Sequence, residues 1–121
     1  MIVRISKGRY PPGRHAEFTA LMAAAGDVLV PAIRRLPGCM SYYAATDEAS
    51  LSTMVNVSVW DTLEHAQAMA SLPEMAALAE QFVALGAEFE RPIVNYPALW
   101  EIGWPSAESK QPSSQRAEGP R

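Results

Sequence analysis

Met54-Val55-Asn56-Val57-Ser58-Val59-Trp60, running straight into Asp61-Thr62-Leu63-Glu64, decides how this chain folds. Every second residue falls on one side: Val55, Val57 and Val59 form one set, and Met54, Asn56, Ser58 and Trp60 the other. Alternation with three β-branched residues predicts a strand. Neither set is that of a solvated face. One is wholly aliphatic; the other holds a polar pair between a methionine and a tryptophan. Such a strand belongs at the centre of a sheet, its oily face against packed structure and its mixed face lining a pocket, where any chemistry would take place.

After the strand, Asp61 with Glu64 three residues on resembles a capping box, predicting a helix whose face starts with Leu63, Ala66 and Ala70. Ser71-Leu72-Pro73 interrupts it. Pro73 suits the first turn of a further helix with Met75, Leu78, Ala79, Phe82 and Leu85 on one face and Gly86 closing it. Before the strand, Cys39 to Thr46 is a second strand with Tyr42 and Tyr43 on opposite faces, and the polar Asp47-Glu48-Ala49-Ser50 joins the two as a hairpin.

At the N-terminus Val3 and Ile5 alternate with Arg4 and Ser6, a first strand that the Gly8 to Gly13 stretch, with Pro11 and Pro12, ends in a turn. Phe18, Leu21, Met22 and Ala25 then hold helical spacing from about residue 13 to 25. Gly26-Asp27 weakens that helix and Pro31 removes a donor, yet Val28, Leu29, Ala32, Ile33 and Leu36 keep the period. The expectation is a kinked or two-piece helix to Arg35, stopped by Pro37-Gly38. A last strand, Ile93 to Ile102, contains Pro97 and so belongs at an edge or carries a bulge.

The order β-α-β-β-α-β is a split βαβ, ferredoxin-like α+β fold: a four-stranded antiparallel sheet with helices on one face. The other face would stand bare. Because the central strand carries apolar or aromatic residues on both sides, a second copy packed sheet to sheet about a two-fold axis is the expected cover, making a homodimer.

With 121 residues, 49% hydrophobic and 19% charged, the chain suits one domain, read as 1–104, followed by a Ser/Pro/Gln/Glu-rich tail, 105–121, expected to be disordered. A net charge of -3 without a basic stripe disfavours nucleic acid as a partner. One cysteine excludes an internal disulfide and a thiolate metal cluster. The N-terminus lacks the apolar core of a signal peptide, and no window approaches 18 apolar residues, so a cytoplasmic protein that does not span a membrane is expected.

The element order, the Leu36-Pro37-Gly38-Cys39 junction and the Val59-Trp60-Asp61 strand end with a helix behind it resemble the antibiotic biosynthesis monooxygenase family, whose members are dimeric α+β barrels. The resemblance covers roughly residues 1–103. Within that family, cofactor-independent monooxygenases of aromatic polyketides, of the actinorhodin-pathway type, carry an Asn and a Trp four apart on the third strand. Asn56 and Trp60 have that spacing, on one face and about 13 Å apart along the backbone. The tyrosine and histidine of that type fall near Ala66 and Ala44 here. The Asn, Trp and His of the heme-degrading branch fall at Ser6 or Lys7, Met69 and Ala79, so there is no heme signature.

The resemblance implies Asn56 and Trp60 as catalytic residues, with Ser58, Tyr42, Tyr43, Phe18 and Met22 as candidate substrate contacts. Each also has a plain structural role open to it. Trp60 could simply pack a strand end, Asn56 could be satisfied by backbone or water, and the tyrosines, Phe18 and Met22 could be core. His15 and His65, near helix starts, form no ligand pattern and read as surface residues, and Cys39 as a small buried hydrophobe. The implied function is oxidation of an electron-rich aromatic such as a quinol or polyphenol by molecular oxygen, with no metal, flavin or heme. The alternative is a non-catalytic dimeric module of the same fold that binds a small molecule.

Overall fold

A computed structural model describes residues 1–103; the expected tail, 105–121, lies outside the described residues, as does Trp104. The deciding strand is β3 (Thr53–Trp60), flanked on both sides. β1 (Ile2–Arg9) pairs with it antiparallel from Ile2 opposite Trp60 to Arg9 opposite Thr53. β2 (Cys39–Thr46) pairs with its other edge as the expected hairpin. The hairpin turn is held by Asp47, whose Oδ1 accepts from the Ala49 and Ser50 amides at 2.8 and 3.2 Å.

Two short strands lie on the free side of β1: β4 (Glu88–Phe89) and β5 (Val94–Pro97). The sheet therefore has five strands, where four were expected. The long last strand, Ile93 to Ile102, shrinks to four residues ending at Pro97, on an edge where a missing donor costs no ladder bond.

Three helices cover one face. α1 (His15–Arg34) is a single uninterrupted helix of 20 residues, not two pieces. Pro31 falls in its last turn, where little of the hydrogen-bond ladder remains to be broken. The segment Pro12–Arg34 contains an 18-residue window of mean hydropathy 1.5 and is by length and composition sufficient to cross a membrane, which counting unbroken apolar runs did not reveal. Here its Phe18, Leu29, Ala32 and Ile33 edge is committed to the core.

α2 (Leu63–Ala68) is capped by Thr62, whose hydroxyl accepts from the His65 amide at 3.1 Å, and not by Asp61. Asp61 is used elsewhere: its amide donates to Gly38 O at 3.0 Å, and its carboxylate meets His65 Nδ1 at 2.7 Å. His65, read from the sequence as a plain surface residue, thus has a carboxylate neighbour. Gly38, at φ +83°, turns tightly enough that any Cβ there would collide with Asp61 and His65. α3 (Pro73–Ala84) ends with Gly86 at φ +105°, where the Gly86 and Ala87 amides return to Val83 O and Phe82 O at 2.9 and 3.0 Å, satisfying otherwise orphaned carbonyls.

Gly8 is part of β1, opposite Met54, and the turn expected there comes after Arg9. A Cβ on Gly8 would lie 2.9 Å from Phe89 Cδ1, so the glycine serves packing. Stacked rings carry that packing across the layers: Tyr10 on Phe18 (4.3 Å between centroids), Phe18 on Phe82 (5.3 Å), and Phe82 edge-on to Phe89 (6.5 Å).

The pleat sorts the rest. Toward the helices point Ile2, Arg4, Ser6 and Gly8 of β1, opposite Trp60, Ser58, Asn56 and Met54 of β3. Away from them point Val3 and Ile5, opposite Val59 and Val57, together with Tyr43, Val94 and Tyr96, which are 65%, 43% and 48% exposed. The valine side of β3 is thus the face the helices leave uncovered, and the mixed side faces the interior.

Candidate active site

A cavity of about 560 Å³ lies between the inner face of the sheet and the helices. Its existence follows from residue size along the central strands. Asn56 is paired with Ser6 on one side and Ala44 on the other, and Ser58 follows it, so the floor is made of small side chains. The opposite wall is apolar, built from residues such as Leu29, Ile33, Leu72, Met75 and Phe82. A further hollow of about 310 Å³, lined by Tyr10, Phe18 and Thr19, shares Met22, Ala44, Met54 and Phe82 with it.

Asn56 sits on the cavity floor, and its side-chain amide has no hydrogen-bond partner among the described residues. That leaves one acceptor and two donors for a ligand. Ser58, 2% exposed, also reaches the cavity wall, and its Oγ accepts from Trp60 Nε1 at 2.8 Å. Trp60 itself is fully buried and does not line the cavity; its indole N–H is spent on Ser58. The two residues that share a strand face therefore stand differently: Asn56 faces the space, whereas Trp60 packs beside it.

Of the candidate contacts, Tyr42 and Met22 line the larger cavity, and Phe18 lines only the smaller hollow. Tyr43 does not line either: it points from the opposite face of the sheet. A bulge between Cys39 and Ser41 decides this. The extra residue shifts the alternation of β2, so that Tyr42 is the tyrosine that falls opposite Ser58 on the inner face.

Burial pushes the Tyr42 phenol up to about 12, opposed by the Arg4 guanidinium and reinforced by Cys39. Its hydroxyl is therefore a neutral donor at physiological pH. An unfolded tyrosine titrates near 10, so between about pH 10 and 12 the unfolded chain releases a proton that the folded one keeps. Stability falls as pH rises through that window. We expect Tyr42→Phe to flatten this alkaline loss, as measured by urea unfolding of both proteins over that range; an unchanged slope would mean that Tyr42 is not the group responsible.

The two charged lining residues, Arg4 and Arg91, were not legible beforehand. Arg4 is 7% exposed, on the inner face between Ser58 of β3 and Asn95 of β5. Its Nη1 donates to Asn95 Oδ1 at 3.3 Å. Desolvation holds its pKa below the ordinary arginine value, with Tyr42 opposing and Arg91 adding to the depression. Arg91 rides over the Phe89 ring, 5.2 Å from its centroid. Neither a carboxylate nor an imidazole lines the cavity among the described residues.

Comparison with known proteins agrees with this architecture. The solved structures it resembles include a Deinococcus radiodurans protein described as a candidate antibiotic biosynthesis monooxygenase, with a TM-score of 0.67 at 18% identity over 84% of this chain and 96% of that one. SnoaB of Streptomyces nogalater, described as a cofactor-independent oxygenase, gives a TM-score of 0.61 at 17% identity over 84% of this chain and 95% of that one. Rv0793 of Mycobacterium tuberculosis gives 0.58 at 18% identity over 84% and 96%. At such identities the likeness establishes the fold. No curated protein matches the sequence. The model of one family, described as antibiotic biosynthesis monooxygenase, matches residues 1–81, two thirds of the chain and all of it through β3 and α2 into α3, and to that family this chain belongs.

Proposed function

We propose that the protein is a cofactor-independent monooxygenase acting on an electron-rich aromatic of the quinol or polyphenol kind, with Asn56 as the donor that holds the ring oxygen. The observation that carries this reading is the unpartnered Asn56 amide on the floor of a largely apolar 560 Å³ cavity. Family membership and the oxygenase described for SnoaB support it.

The chemistry needs little from the protein. A hydroquinone plus dioxygen gives a hydroxylated quinone plus water: one oxygen atom enters the ring, the other leaves as water, and both electron pairs come from the substrate. Once ionised, such a ring passes an electron to oxygen directly. The apolar walls exclude water, while Asn56 and Tyr42 offer preorganised hydrogen bonds to the oxygen that carries the charge. Trp60, through Ser58, holds the strand end beside them.

Oxygen uptake with a panel of hydroquinones tests the reading. Uptake of one dioxygen per quinol, with a hydroxylated quinone as product, is the expected result; uptake no faster than autoxidation across the panel would overturn it. The absence of a carboxylate or imidazole from the described lining favours a second reading, a binding module without turnover, in which the same ligands bind and no oxygen is consumed.

We further propose that the protein is a homodimer, with the Val3, Ile5, Val57 and Val59 face as the contact. Each such side chain gains about 1.5–3 kcal/mol on full burial, and the helices cover none of them. Light scattering should give a dimer for the wild type, and a monomer or aggregate for Val57→Lys. A wild-type monomer at micromolar concentration would refute this.

A further inference from the structure

Among the described residues Arg4 is the only charged side chain that is buried, at 7% exposure. Its guanidinium has five N–H donors, and the single bond to Asn95 is all the protein supplies to them there. None of the ion pairs among the described residues includes it. A charge removed from water without a counter-charge is strongly unfavourable, so a buried arginine is ordinarily found against a carboxylate. Here it faces a cavity instead.

The rest of the wall repeats that imbalance. Arg91 is the second cation on it, and no aspartate or glutamate lines it, although the chain as a whole carries a net charge of -3. Acidic groups outnumber basic ones overall, yet this space holds only positive ones. Its low-dielectric walls strengthen their field on anything bound between them. Tyr42, held neutral by burial, and Asn56 add donors on the same floor.

We propose that the cavity takes its aromatic ligand as an anion, with an oxyanion attached to the ring, either a carboxylate or an ionised hydroxyl, seated on Arg4. This deepens the oxygenase reading and rests on it only for the ligand's oxidation. Arg4 supplies what a wall without a base lacks: it stabilises the ionised ring instead of extracting the proton, which leaves to solvent as the ligand binds. The apolar wall takes the ring, and the guanidinium fork takes the oxygen.

The test uses aromatic probes that do not react with oxygen. Naphthoate is titrated against its neutral counterpart naphthamide, and naphthol is titrated across its own ionisation. We expect the wild type to bind naphthoate at least about tenfold tighter than naphthamide if the carboxylate is the preferred anion, or to bind naphthol with its pKa lowered by at least about one unit if the ring hydroxyl is. Arg4→Gln should abolish whichever preference is found while leaving naphthamide affinity within about twofold, and Arg4→Lys should restore part of it. Equal affinity for charged and neutral probes in the wild type would overturn the proposal without any variant. A folded Arg4→Gln protein that keeps the preference would overturn it as well. Charge-selective binding without oxygen uptake would leave this inference standing and remove the oxygenase reading; uptake without charge selectivity would do the reverse.

Discussion

Replacing Asn56 with alanine is expected to lower oxygen-dependent turnover by two to three orders of magnitude while leaving the fold intact. Loss of one preorganised donor that faces developing charge typically costs about 2.7–4 kcal/mol in the barrier, and the effect belongs in kcat because the charge grows toward the transition state. The stability side follows from the same geometry. The Asn56 amide bonds nothing among the described residues, and its neighbours Ser6 and Ala44 are small, so alanine strands no protein partner and opens no well-packed layer. A melting temperature within a few degrees of wild type is therefore expected. Oxygen uptake and thermal melts on the same preparation check both halves. Turnover per folded protein unchanged from wild type would retire Asn56 as part of the site.

How much of this was legible in the sequence turns on which face of the sheet is inside. The alternation around β3 gave the strand, the hairpin and the two distinct faces, because period two is strong where β-branched residues repeat. It could not show the role of Arg4. In Ile2-Val3-Arg4-Ile5-Ser6 the odd positions are the oilier set, and a single chain would bury them and turn Arg4 to water. The fold does the opposite: Val3 and Ile5 join the valine face of β3 away from the helices, and Arg4 and Ser6 go inward with Asn56. The rule that apolar residues lie inside fails where the oilier face is the one the helices leave uncovered.

Two other misses have separate causes. Strand periodicity assigns Tyr42 and Tyr43 to opposite faces but not to a particular one, and the bulge between Cys39 and Ser41, with Met40 as the extra residue, carries no sequence signal that would fix the parity. Asp61 is as good a capping residue as Thr62 by type. It loses the position because its amide is tied to Gly38 O and its carboxylate to His65. The first contact depends on the Pro37-Gly38 turn arriving from a distant part of the chain, which local pattern cannot supply.

Trp60 separates packing from chemistry most sharply. It is fully buried, and its only side-chain hydrogen bond among the described residues runs to Ser58 at 2.8 Å. Trp60→Ala should cost about 3–5 kcal/mol, a large share of the roughly 5–15 kcal/mol that holds a domain together, so little folded protein is expected at growth temperature. Trp60→Phe keeps most of the ring and removes the N–H. It leaves the Ser58 oxygen, itself 2% exposed, without its donor, at a cost of about 1–3 kcal/mol and a melting temperature lower by roughly 4–8 °C for each kcal/mol. Because that N–H is directed at Ser58 and not into the cavity, turnover per folded molecule should change no more than a few-fold. The pattern is the inverse of the one expected for Asn56→Ala. A Trp60→Phe variant with an unaltered melting temperature and a hundredfold loss of kcat would show that the indole leaves Ser58 for the ligand during the reaction, and would return Trp60 to the catalytic pair that the family resemblance implies.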